Sequence, residues 1–170
     1  MSRVILFLTA ALIAFSCSKK EEEQGVKPLL LEQLKNSHTH QDWFVPTKLA
    51  IEGLSHEQAT WKDSTDNHSI FELVSHMIFW HGRVLHAFKG DSVPDYSSDN
   101  EETFVHEHTL DWAAAAMKLD SIQTDWKRVV ERASDEKLIE WSTEISNMAG
   151  HAAYHTGQIV YIRKRNGWWR

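Results

Sequence analysis

His151 and His155 stand one helical turn apart in the run NMAGHAAYHTGQIVYIRKR. Side chains four residues apart on a helix share a face, so both imidazoles can turn to one point and offer neighbouring ligands to a single cation. Two imidazoles hold a cation weakly, so a metal reading needs a third donor, and the chain's 11 histidines supply candidates. The spacing also invites comparison with zinc proteases, which place a glutamate general base directly after the first histidine. Here that position is Ala152, so protease chemistry of that kind is excluded.

The elements that must position these residues are helical. Apolar residues Ile70, Leu73, Val74, Met77, Trp80, Val84 and Phe88 recur at three- and four-residue spacing and predict a core-facing helix over 69–89. A further helix is expected over 109–133, carrying Trp112, Met117, Leu119, Ile122, Trp126 and Val129 with an AAAA tetrad that favours helix. The HxxxH helix spans about 144–165 and ends at Asn166 and Gly167, with Arg163, Lys164 and Arg165 complementing its dipole. The first helix is expected over 28–53, with Leu30, Leu34, Trp43, Phe44, Leu49 and Leu54 as its apolar points and an interruption at Pro46. A loop rich in Gly, Pro, Asp, Ser and Asn occupies 90–102, and no strand pattern or repeat stands out. Four amphipathic helices with a long middle connection predict an all-α four-helix bundle.

At 100° per residue, Glu144, Met148, His151, His155, Ile159 and Ile162 fall on one stripe of the last helix, with Asn147 and Gln158 at its edge. Buried imidazoles need hydrogen bonds or a metal, so the pair taken alone reads either as satisfied core or surface histidines or as ligands. On the second helix the spacing puts His81 near the middle of the apolar stripe and His76 at its edge, while His86 points away. His68 belongs to the N-terminal turn of that helix. His38, His40, His56, His106 and His108 lie among polar residues and are expected to be solvated. Glu72 and Glu144 are the nearest carboxylates by helical position, and Gln158 could bond a ligand histidine.

The first residues follow a different logic. Arg3 precedes the apolar run 4–14, too short to span a membrane, and Ser16 precedes Cys17, the only cysteine. This resembles a bacterial lipobox, which implies removal of residues 1–16, acylation of Cys17 and attachment to membrane lipid through several chains. Ser18 implies the outer membrane of the cell envelope, and KKEEE extends a charged tether over 17–27, leaving 28–170 as the domain. The chain has 18 basic and 24 acidic residues, and losing Arg3 with the leader takes the net charge from −6 to about −7. That balance argues against nucleic acid as a partner. With no second cysteine for a disulfide, packing must hold a single domain together.

The stretch HSIFELVSHMIFWHGRVL, followed later by HAAYHTGQIVYIRKRNGWW, resembles the DinB-like superfamily of four-helix metalloproteins, which includes bacillithiol S-transferase-like enzymes. The similarity runs over about 29–169 and takes in the approach to the second helix from Trp61. The resemblance implies a three-histidine divalent-metal site, carried by position onto His76, His151 and His155, against the preference of spacing for His81. Three neutral imidazoles leave a tetrahedral cation one open position, in which bound water or thiol loses its proton readily. Zinc is expected from that geometry, although imidazole suits nickel and iron as well. Metal-activated hydrolysis or thiol-type transfer on a small molecule is the enzymatic expectation. Its alternative is an envelope lipoprotein that binds metal or ligand without catalysis. Homodimerisation is left open by the sequence.

Overall fold

The computed structural model describes residues 25–65, 67–105, 107 and 109–169. The proposed leader, Cys17 and the His106 and His108 pair lie outside the described residues. The described residues form seven α-helices: α1 (Val26–His38), α2 (Thr47–Ile51), α3 (His56–Thr60), α4 (Ile70–Lys89), α5 (Trp112–Arg132), α6 (Asp135–Glu140) and α7 (Ser142–Arg165), with a 3-10 turn at Asn100–Phe104. The fold is all-α, as the periodicity predicts. The four long helices close a ring in which α1 packs on α5 and α7, and α4 packs on α5 and α7.

Local chemistry explains the boundaries. Ser69 and Glu72 form a reciprocal capping box at the start of α4, Glu72 accepting from the Ser69 amide at 2.7 Å and Ser69 Oγ from the Glu72 amide at 3.2 Å. Gly90 closes the same helix at φ 90°, a left-handed position that favours glycine. Asp111 caps α5 by accepting from the Ala114 amide at 2.7 Å. The expected first helix, interrupted at Pro46, is two helices, α1 and α2, separated by residues 39–46. α1 ends at His38, ahead of the proline; Pro46 disfavours helical geometry at Val45 and caps α2, and Gly53 turns the chain at φ 71°. As a result Trp43 is 94 % exposed and Phe44 is exposed too, although both look like core points in the sequence. Met117 is likewise exposed. Pro28 sits in the first turn of α1, where no helical N–H is lost, so the helix begins inside the expected tether.

The core has two apolar halves. One contains Ala50, Ile70, Leu73, Val74, Met77, Trp112, Ala115, Leu119 and Ile159. The other contains Leu30, Leu34, Leu85, Phe88, Trp126, Val130, Leu138, Ile145 and Met148. Both α4 and α5 run from the first half to the second and α7 runs the other way, while α1 packs in the second half antiparallel to α5, Lys27 bonding the Ala133 carbonyl and His38 lying beside Asp120. Consecutive helices α4 and α5 are therefore parallel, and the connection between them must return along α4, about 30 Å for its 20 residues. The long middle loop is that return path, and on it the 3-10 turn packs against α4. His81 on α4, with His151 and His155 on α7, falls between the apolar halves, and His76 joins them from the edge of the first half.

Candidate metal centre

His76, His151 and His155 converge. Nε2 of His151 lies 3.1 Å from Nε2 of His76 and 2.9 Å from Nε2 of His155. Ligand atoms about 2.0–2.1 Å from one cation sit roughly 2.8–3.4 Å from each other at octahedral to tetrahedral angles, so these separations suit a shared ion. Among the described residues no other group of three or more histidine, cysteine or carboxylate side chains meets in this way. His76 and His155 are buried and His151 is half-buried.

The opposite nitrogen of each ring is held by a different neighbour. His76 Nδ1 lies 2.5 Å from Thr103 Oγ1, and that hydroxyl donates to the Asn100 carbonyl at 2.6 Å, so it must accept from His76 Nδ1–H. His155 Nδ1 donates to Gln158 Oε1 at 2.6 Å. These bonds leave bare Nε2 lone pairs on His76 and His155, both turned to the point that His151 Nε2 also faces. Adjacent lone pairs repel unless a cation or a proton lies among them, so the three nitrogens could hold a metal ion between them. His151 Nδ1 meets His81 Nε2 at 3.0 Å. His81 is thus brought to the site behind His151, not into the triad, and its carbonyl accepts from Trp126 Nε1 at 3.1 Å.

Electrostatics favour the neutral, ligating form. Burial, reinforced by His155, His151 and His68, pushes His76 down to about 3. Burial and then His155 bring His151 down to about 4. Burial also lowers His155, against the opposing bond from Gln158, and drives His81 well below the ordinary histidine range. No proton therefore has to leave these rings at neutral pH before a cation enters.

The 3-10 turn completes the support. Phe104 stacks on His76 at 4.0 Å between ring centroids and on His68 at 3.6 Å, so three rings pile face to face. Ser75 Oγ donates to the Thr103 carbonyl at 3.1 Å and Trp80 Nε1 to Asn100 Oδ1 at 3.1 Å, tying the turn to α4. Neither Thr103 nor Phe104 stands out in the sequence, because the return path that brings them to His76 leaves no periodic trace.

The chain belongs to the DinB superfamily. Residues 47–159 match that family, from α2 through the HxxxH pair to Ile159. No curated protein and no solved structure matches the chain.

Other candidates fall elsewhere in this DinB-superfamily fold. Glu72 is occupied by the α4 cap and by Lys62 Nζ at 3.1 Å. Glu144 is exposed in the first turn of α7, where it complements the helix dipole instead of facing the histidines. His40, His56 and His86 are exposed, His86 pairing with Asp91 at 2.7 Å. His38 is not solvated as expected: it is buried at the end of α1, with Nε2 2.8 Å from Asp120 Oδ1. Its sequence neighbours are polar because α1 ends there, while its ring turns inward against α5.

Proposed function

We propose that His76, His151 and His155 are the three protein ligands of one divalent cation, and that the protein uses it for hydrolysis or thiol-type transfer on a small molecule. The observation that carries this reading is the meeting of three Nε2 atoms while Thr103 and Gln158 occupy the Nδ1 atoms of two of the rings. A cation so held supplies Lewis acidity, lowering the pKa of a bound water or thiol. The chain's own contribution is orientation. Thr103 and Gln158 fix the tautomers of His76 and His155, His81 meets the back of His151, and the Phe104 stack shields His76. Zinc, nickel and iron all suit three imidazoles, and zinc is our choice for its four-coordinate chemistry. Acylation of Cys17 and an outer-membrane address are part of the same proposal and rest on Arg3, the apolar run, Ser16 and Ser18.

Metal analysis of the purified protein tests the ligand set. About one cation per chain is expected, lost in His76→Ala and in His151→Ala but largely kept in His81→Ala. Full occupancy in His76→Ala with loss in His81→Ala would refute the assignment. Screening the metal-loaded protein against ester, amide and thiol-acceptor substrates separates catalysis from binding alone, since catalytic turnover must vanish with the histidines. Acyl labelling that persists in Cys17→Ser would end the lipoprotein reading.

A further inference from the structure

The outer face of α7 carries a seam. Asn147, Gly150, Tyr154, Gly157, Tyr161 and Lys164 are all exposed, and they recur at alternating spacings of three and four residues, the repeat by which one helix packs along another. Tyr154 and Tyr161 are 64 % and 65 % exposed. A glycine inside a helix costs about 0.5–1 kcal/mol relative to alanine, so each one needs a reason. Nothing lies within 4 Å of where a Cβ would stand at Gly150 or at Gly157, so the packing of a single chain asks for neither. The seam thus alternates two large rings with two holes that one chain leaves open.

Its order also reads the same in both directions. Reversed about the point midway between His155 and Thr156, Tyr154 exchanges places with Gly157, Tyr161 with Gly150 and Lys164 with Asn147. A second α7 laid antiparallel on the first, with a two-fold axis at that point, therefore sets each tyrosine over a glycine of the other chain, which is the self-complementarity a symmetric pair requires. Parallel packing would set tyrosine on tyrosine and glycine on glycine, overfilling two layers and leaving gaps in two others. Charge makes the same choice. Glu144 is exposed in the first turn of α7 and Lys164 in the last. The antiparallel arrangement brings Lys164 within about one turn of the partner's Glu144 at both ends and opposes the helix dipoles, whereas the parallel one sets like charges together.

We propose that this seam is the interface of a symmetric homodimer, in which α7 pairs antiparallel with α7 of a second copy of the chain. The axis passes beside His155, whose ring Tyr154 meets edge-on at 4.9 Å, so association covers the outer side of the metal centre. From Asn147 to Lys164 the seam runs about 26 Å, and at a width of about 10 Å it offers roughly 300 Å² per chain. A cleft of about 550 Å³ beside it, lined by Trp61, Gln158 and Ile162, adds contact. Stable complexes bury about 800 Å² per partner, so the dimer is weak, with a Kd on the order of tens of micromolar. The interface stands whether or not the histidines hold a cation.

Sedimentation of the full chain over about 1–300 µM measures the association. Gly157→Leu fills a hole that has room for a side chain in the single chain, and it should weaken dimerisation at least about tenfold with no loss of thermal stability. Disulfide trapping tests the register. In a Cys17→Ser background, Asn147→Cys combined with Lys164→Cys should give a covalent dimer under mild oxidation, because the two sites are about 26 Å apart within one chain and can pair only across the axis. Lys164→Cys alone should not crosslink. A chain that stays monomeric at about 300 µM, association that Gly157→Leu leaves unchanged, or Lys164→Cys alone crosslinking as fast as the double variant overturns the proposal.

Discussion

Thr103→Val removes one oxygen and keeps the shape of the side chain, so it isolates the hydrogen bond to His76. In the metal-free protein the loss is mild. His76 can move its proton from Nδ1 to Nε2, where His151 Nε2 at 3.1 Å offers an acceptor, so no buried N–H is left without a partner. With a cation on Nε2 that escape closes, because the proton must then sit on Nδ1, facing a methyl group in a site only 4 % exposed. A buried donor without a partner costs about 1–3 kcal/mol, which corresponds to a loss of roughly 5- to 150-fold in affinity. Removing the partner of a metal-binding histidine typically has an effect of that size. Competition with a chromogenic chelator measures the affinity, and thermal melting of the metal-free protein measures the fold. The expected result is metal binding weakened by at least about fivefold, a metal-free stability changed by less than about 1 kcal/mol, and recovery in Thr103→Ser. Unchanged affinity in Thr103→Val would show that the hydroxyl does not set the tautomer and would refute the reasoning.

Acid should destabilise the metal-free protein well before its carboxylates titrate. His76 and His151 are lowered in the folded state to about 3 and about 4, so between there and about 6.5 the unfolded chain binds more protons and stability falls as pH falls. At pH 5 each ring accounts for about 2 kcal/mol, and melting should drop by on the order of 10 °C between pH 7 and pH 5. A flat melting profile over that range contradicts the assignment. The two kinds of tryptophan offer a separate check by denaturant unfolding. Trp126→Ala should cost about 3–5 kcal/mol because the ring is 1 % exposed at the centre of the second apolar half. Trp43→Ala should stay within about 0.5 kcal/mol, and a large loss there would show that the loop after α1 is packed.

Periodicity alone carried the all-α architecture, the face of α4 and α7 that turns inward, and the ends of α4, because hydrophobic spacing and capping are local properties of the chain. The HxxxH pair was legible for the same reason, as two side chains on one helix need only the helical repeat to meet. Which α4 histidine joins them was not. Spacing favours His81, which sits deepest in the apolar stripe, while resemblance to a family favours His76. Tertiary structure brings both rings to His151, His76 through Nε2 and His81 on the Nδ1 side. That outcome depends on the rotation of α4 against α7, and no single helix encodes it. His38 shows the same limit, since its polar neighbours say nothing of the α5 carboxylate that waits across the bundle. Thr103 and Phe104 were invisible for a different reason: they ride on an irregular return path whose course is set by the parallel packing of α4 and α5. Local sequence determined the helices and the two-histidine motif. Only the long-range packing of the bundle decided which third ring faces the motif and what stands behind each one.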